Sequence, residues 1–166
     1  MFREMRRKKC ALNSETAEKI LREGIFGVLA LTGDDGYNYA VPLNYAVENN
    51  KIYFHSALSG HKLDAIQNND KVSFCVVGRH DVVAEEFTSY FISVIAFGKI
   101  KIVSDNNDPE KLRGLELLAD KYSPDVDKNL RDKELARIAA VKILILEIEH
   151  LSGKAAREII RNGEIS

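Results

Sequence analysis

The stretch His55-Ser56-Ala57-Leu58-Ser59-Gly60-His61-Lys62 decides how the rest of the chain is read. Residues 51–57 carry Ile52, Tyr53 and Phe54, all strand formers, and the turn signal Asn49-Asn50 precedes them. From residue 61 to 69 the pattern turns helical, with Leu63 and Ile66 on one face. The segment is therefore a strand end, a short Ser/Gly loop and a helix N-terminus. First-turn N–H groups have no partner inside their own helix, and the positive end of the helix dipole lies there. Gly60 allows close backbone approach, Ser56 and Ser59 add hydroxyl donors, and Lys62 adds a full charge. Two readings are open from these residues: a phosphate-type anion site, or a capped helix start with a solvated lysine.

Outward from this stretch, elements follow one another in hairpin order. Residues 14–23 read as a helix that Ser14 can cap and Gly24 ends, with Ala17, Ile20 and Leu21 on one face. The apolar run 25–32 is a buried strand, Gly33-Asp34-Asp35-Gly36 a turn, and 37–47 the returning strand. Another strand covers 71–77, followed by a polar loop over 78–86 and a long strand, or a bent pair of strands, over 87–103. Asp108-Pro109 starts a helix whose expected buried stripe is Leu112, Leu115, Leu118 and Ala119. A loop over 123–129 and a short helix over 131–139, packing through Leu135 and Ile138, lead to a last strand at 141–150. Residues 1–13 are a basic arm and 155–166 a polar tail around one domain spanning 1–166. This order implies a mainly β fold, an antiparallel sheet or barrel with peripheral helices. Neither Gly-x-Gly-x-x-Gly nor a Walker loop is present, which argues against dinucleotide and P-loop sites.

A chain of 166 residues, 45% hydrophobic and 30% charged, can bury a sizeable core. Its net charge of −1 gives no overall attraction to nucleic acid or acidic membranes, so neither is an expected partner. The short run Arg6-Arg7-Lys8-Lys9 reads as a solvated or partner-embracing arm. Two cysteines, Cys10 and Cys75, suit a reducing compartment, and Cys75 in its apolar run reads as a buried, inert thiol. With no apolar span and no signal-peptide core, the expected location is the cytoplasm.

Pro42 interrupts the strand over 37–47. A proline cannot donate to a sheet ladder, so it belongs on an edge or at a bulge. There the backbone groups of Leu43 and Asn44 are free, and Asn44 can donate and accept through its side chain. A flat heteroaromatic ligand, with ring carbonyls and a ring N–H, needs such groups; an ordinary edge strand with a solvated Asn is the other reading. His55, His61 and Asp64 form no tight ligand cluster such as His-Glu-x-x-His, so no metal is expected. A Ser-His-Asp triad lacks its Gly-x-Ser-x-Gly elbow. His80 and His150 read as ordinary histidines.

Val41-Pro42-Leu43-Asn44-Tyr45, Ile52-Tyr53-Phe54-His55-Ser56-Ala57, Gly60-His61-Lys62, Ser93-Val94 with Phe97-Gly98, and the closing Glu147-Ile148-Glu149-His150-Leu151-Ser152-Gly153-Lys154 together resemble one family. It is the pyridoxamine-phosphate-oxidase-related flavoproteins, within which the Nim-type nitroimidazole-resistance proteins are most similar. The resemblance runs from about the first helix to Lys154. It implies a split β-barrel that binds FMN at a homodimer interface. Carried over, Pro42, Leu43 and Asn44 face the flavin ring. His55, Ser56, Ala57, His61 and Lys62 surround the phosphate, and Ser93 and Val94 approach from the second subunit.

Two departures narrow this. Ile92 stands where family members often carry a charge before the Ser-Val pair. The chain has no Trp, and Arg157-Glu158-Ile159-Ile160-Arg161 does not match the substrate-gripping end of the vitamin oxidase, so pyridoxamine phosphate is not the expected substrate. The resemblance implies an FMN-dependent oxidoreductase that passes electrons to a small planar acceptor such as a nitroimidazole, with no general acid or base assigned. The rivals are a haem-binding split barrel, with His55, His61 or His150 on iron, and a flavin sensor or storage protein. Apolar residues on both faces of 87–97, among them Phe87, Phe91, Val94 and Ile95, lead to the expectation of a homodimer.

Overall fold

The computed structural model describes residues 2–164. Seven strands form one antiparallel sheet: β1 (Phe26–Thr32), β2 (Asn38–Asn44), β3 (Ala46–Glu48), β4 (Lys51–Ser56), β5 (Lys71–Val83), β6 (Thr88–Val103) and β7 (Lys142–Ala155). Their order across the sheet is β2-β1-β5-β6-β7-β4-β3. The two outermost strands, β2 and β3, are consecutive in sequence, with only Tyr45 between them. The sheet therefore curls round on itself, and Tyr45 sits at the seam. This is a split β-barrel, with its core on the inner face: Leu29, Leu31, Phe54, Phe74, Val76, Val94, Ala96, Leu144 and Leu146. Period-two alternation writes that face into the sequence. In β6, Ile92, Val94, Ala96 and Ile100 are buried, whereas Phe91, Ser93, Ile95 and Phe97 are half-exposed on the other side.

Five helices lie around the barrel: α1 (Ser14–Glu23), α2 (His61–Asn68), α3 (Pro109–Tyr122), α4 (Lys128–Leu135) and α5 (Arg157–Arg161). Asn13, not Ser14, caps α1, its side-chain oxygen accepting from the Thr16 N–H at 2.7 Å. Asp108 caps α3 as its sequence implies, with Pro109 in the first turn. The buried side of α3 differs from the expected leucine stripe. Lys111, Gly114 and Leu118 are buried, while Leu112 is 42% exposed. The cause is close packing: a Cβ on Gly114 would come within 2.9 Å of Ile143 Cγ2 and 3.1 Å of Tyr53 Cδ1. Lys111 is tolerated inside because its ammonium donates to Asn106 Oδ1 at 2.7 Å and to the Ser104 carbonyl at 3.3 Å.

Other boundaries also moved. Residues 78–83 continue β5 as a hairpin with β6, past a bulge between Val77 and Arg79. The hairpin is polar because it runs beyond the barrel core, and ladder hydrogen bonds take the place of apolar burial. Its turn holds Phe87 in the left-handed region (φ 51°), 98% exposed. α4 begins at Lys128, three residues before the expected start, because Asp127 caps it. The segment read as a polar tail contains α5, whose Ile159 is fully buried with Ile92, Ala155 and Ala156. Ile92 thus packs beneath α5 and offers no polar contact to the outer face. Cys10, in the basic arm, is buried, whereas Cys75 is half-exposed on the outer face, and burial of its sulfur raises the thiol's pKa. Among the described residues, no helix is long and apolar enough to cross a membrane.

Candidate functional site at the open edge of the barrel

β2 is the edge strand that Pro42 demands. Its register with β1 shows which backbone groups are free. The Gly33 N–H donates to the Tyr37 carbonyl at 3.0 Å, which makes that pair a hydrogen-bonded one. Such pairs recur at every second residue of an antiparallel ladder. With the observed register, Tyr39, Val41 and Leu43 turn their N–H and C=O groups to β1, and Ala40, Pro42 and Asn44 turn theirs to the open edge. The nitrogen that cannot donate therefore points where no strand needs it. The expectation that Leu43 offers free backbone groups is corrected: only those of Asn44 are free. The Leu43 side chain packs on the core, while Pro42 and Asn44 are exposed. The Asn44 amide hydrogen-bonds to no other described residue.

Across the split, β3 pairs with β4 only as far as Tyr53. Phe54, His55 and Ser56 have β7 on one side and no strand on the other. Phe54 is fully buried in the core, Ser56 is 6% exposed, and His55 is on the outer side. Ala57 opens the exposed loop into α2. Gly60 is the N-cap of α2 with φ 134° and ψ 163°, a conformation essentially confined to glycine, and a Cβ there would meet nothing within 4 Å. The residue is required by backbone conformation, not by space. No side chain caps α2. The Gly60 carbonyl accepts from the Leu63 and Asp64 N–H groups, at 2.8 and 3.3 Å, but the His61 and Lys62 N–H groups have no partner among the described residues.

The His61 ring stacks on Tyr39 of β2 (centroids 4.4 Å apart, 21° between planes), and its Nε2 lies 3.1 Å from Asp34 Oδ1 in the β1–β2 turn. These contacts pin the start of α2 against the edge strand. Lys62 is half-buried and has no ion pair among the described residues; burial lowers its pKa. His55 also has a lowered pKa, first from burial and then from the nearby Lys62 charge. Both groups sit where a cation is disfavoured, and no acidic group among the described residues pairs with either. An anion would compensate, and the free first-turn N–H groups are suited to receive one.

The remaining two residues of the expected set lie on β6. Ser93 is half-exposed on the outer face, paired to Val77 on one side and Lys154 on the other. Val94 is fully buried in the core, so its side chain is unavailable to a ligand outside the barrel. On the outer face Lys154 lies beside Ser93, its ammonium 5.2 Å from the centre of the Phe91 ring, and small and apolar residues lead from there toward β2. Pro42, Val28, Cys75 and Ile95 form one cross-strand row, and Ala40, Ala30, Ser73 and Phe97 the next. Phe26 and Val77 beside them are 62% and 59% exposed. Sequence reading missed Tyr39 and Asp34, which orient His61; their relation to it appears only once the hairpin folds over α2.

The solved structures that share this fold include the following three. A candidate 5-nitroimidazole antibiotic resistance protein from Bacteroides thetaiotaomicron is 22% identical, with a TM-score of 0.73 over 87% of this chain and 86% of that one. A flavocytochrome from Azotobacter vinelandii is 20% identical, with a TM-score of 0.73 over 92% and 72%. An FAD and haem binding protein from Mycobacterium smegmatis is 21% identical, with a TM-score of 0.72 over 94% and 80%. No curated protein matches the chain. The family model described as pyridoxamine 5'-phosphate oxidase matches residues 13–155, from the cap of α1 to the end of β7. The chain therefore belongs to the pyridoxamine 5'-phosphate oxidase family.

Proposed function

We propose that the protein is an FMN-dependent oxidoreductase that acts as a homodimer on a small planar acceptor such as a nitroimidazole. The observation that carries this reading is the start of α2: two free N–H groups, an unpaired half-buried Lys62 and the Gly60 conformation, all held against an edge strand with free Asn44 groups. A phosphate and a flat hydrogen-bonding ring are the two ends of FMN. His55, Ser56, Ala57, His61 and Lys62 would hold the phosphate. Pro42 and Asn44 would lie along the ring, with Leu43 supporting the strand from the core side. Bound FMN would supply the hydride and electron chemistry; the protein would bind, orient and exclude water. The candidate resistance protein of the same fold adds support for the acceptor class.

The small and apolar residues in the middle of the outer face, from Pro42 and Val28 to Cys75 and Ile95, support a dimer that brings Ser93 of the second subunit to the site. A haem reading has less support. The His61 Nε2 already faces Asp34, and His150 stacks under Phe2 with centroids 4.8 Å apart. The test is light scattering with absorbance detection on freshly purified protein. A flavin band on a species of twice the chain mass is expected. A monomer with flavin still bound would overturn the shared site, and a Soret band would overturn the flavin. Turnover of a nitroimidazole with a nicotinamide donor then separates an enzyme from a sensor.

A further inference from the structure

The seam at Tyr45 holds an arrangement that flavin binding by itself does not call for. In the β1–β2 register Phe26 faces Asn44, so the next pair is Ile25 and Tyr45, a hydrogen-bonded pair by the parity above. The ladder bond expected there is from the Tyr45 N–H to the Ile25 carbonyl. It is not made. The Tyr122 hydroxyl, from the last residue of α3, is inserted instead. It accepts from the Tyr45 N–H at 2.9 Å and donates to the Ile25 carbonyl at 2.5 Å. The Tyr45 carbonyl is also 2.9 Å from that oxygen, but a phenol has one hydrogen, and Ile25 is nearer. The neighbouring Lys121 ammonium donates to the Gly24 and Arg22 carbonyls at 2.6 and 3.1 Å and lies 4.0 Å above the Tyr45 ring. The last turn of α3 thus separates β2 from β1 by one hydroxyl and sends the chain across to β4.

The consequence for the site follows from peptide planarity. The Tyr45 N–H and the Asn44 C=O belong to one trans peptide plane and point in opposite directions. Holding the N–H toward β1 aims the carbonyl at the open edge. We infer that Tyr122 is a positioning residue: by inserting its hydroxyl between Ile25 and Tyr45 it aims the Asn44 carbonyl at the ring N–H of a flavin. The inference rests on the flavin reading and names the part of the protein that sets its ring-side acceptor.

Tyr122→Phe keeps the ring packing on the α3 side and removes only the hydroxyl. Two measurements test it. In ligand-free protein, amide exchange at Tyr45 should be slow in the wild type and at least about tenfold faster in the variant, the loss of one hydrogen bond. Equal exchange rates would mean that the hydroxyl does not hold the amide. The second measurement is a titration of FMN and of 3-methyl-FMN, which lacks the ring N–H. Wild type should prefer FMN by about tenfold, and Tyr122→Phe should bind the two nearly alike. A fall in melting temperature with an unchanged FMN to 3-methyl-FMN ratio would make Tyr122 structural only. A wild type that does not discriminate would remove the Asn44 carbonyl as acceptor. If the wild type binds neither, the flavin reading and the positioning role both fail, and the exchange data still decide whether the lock exists.

Discussion

The barrel is interrupted in two places, and the chain treats them in opposite ways. At the seam, side chains take up polar backbone groups: Tyr122 bridges the Ile25 carbonyl and the Tyr45 N–H, Lys121 donates to the Arg22 and Gly24 carbonyls at the end of α1, and the Tyr45 hydroxyl donates to the Leu21 carbonyl at 2.5 Å. At the open edge, the Asn44 groups, the His61 and Lys62 N–H groups and the Lys62 charge have no partner among the described residues. Unpaired polar groups in a partly buried place are costly, which makes the open edge the place where a bound ligand would gain most. On the flavin reading, the difference separates a gap that is part of the fold from a gap that takes a ligand.

Truncation at the seam breaks this comparison most forcefully. Tyr45 is fully buried and meets Phe74 edge-on at 4.8 Å, so Tyr45→Ala should cost about 3–5 kcal/mol. That is a fall of roughly 6–20 °C in thermal midpoint for a chain of this length, read by calorimetry. A midpoint within about 2 °C of wild type would show that the seam does not hold the barrel closed.

Lys62→Ala should do the reverse. A cation in a first helical turn is mildly unfavourable beside the dipole, so ligand-free stability should be unchanged or slightly higher. A lost charge-assisted contact of about 1.5–3 kcal/mol predicts FMN binding weaker by roughly 10- to 100-fold. Riboflavin, which lacks the phosphate, should bind as before. Equal losses for both ligands, titrated into stripped protein, would remove Lys62 from the phosphate end.

A smaller effect is expected from Asn44→Ala. The exposed side chain makes no hydrogen bond to another described residue, so the melting temperature should barely move, while FMN and riboflavin affinities fall together by about tenfold or less. A sharp drop in melting temperature with unchanged affinity would make Asn44 part of the fold and blur the distinction between the two gaps.

The subtlest readout is the titration of His55. Burial and the Lys62 charge hold its folded pKa below the ordinary value of about 6.5. The unfolded chain therefore takes up the proton first. His55's share of the stability is complete above about pH 6.5 and is lost as pH falls through the lower folded value. In an NMR titration Lys62→Ala should move the His55 pKa upward, and FMN should raise it in the wild type. A His55 pKa that ignores both changes would place the histidine apart from Lys62 and from the anion.

Much of this could be read from local sequence, for local reasons. Alternation of side chains marks the strands, Gly33-Asp34-Asp35-Gly36 marks the first hairpin, and Asp108-Pro109 marks the start of α3. Pro42 identifies an edge strand because its missing N–H is a covalent fact, and Gly60 identifies a loop that only glycine adopts. The length of β5 was hidden because a hairpin beyond the core has no apolar face to show. The buried side of α3 was hidden because Lys111 is a charged residue in an apolar place, satisfied by Ser104 and Asn106.

The kind of element at most positions and the chemistry available at the start of α2 follow from the local sequence. Those depend on side-chain volume, backbone freedom and charge within a few residues. Tertiary structure alone decided which groups are left unpaired. The Tyr45 N–H is taken by a hydroxyl 77 positions away, whereas the Asn44 groups one residue earlier are not taken at all. Strand register and the docking of α3 bring distant donors and acceptors together. That pairing, not composition, separates the satisfied gap from the open one.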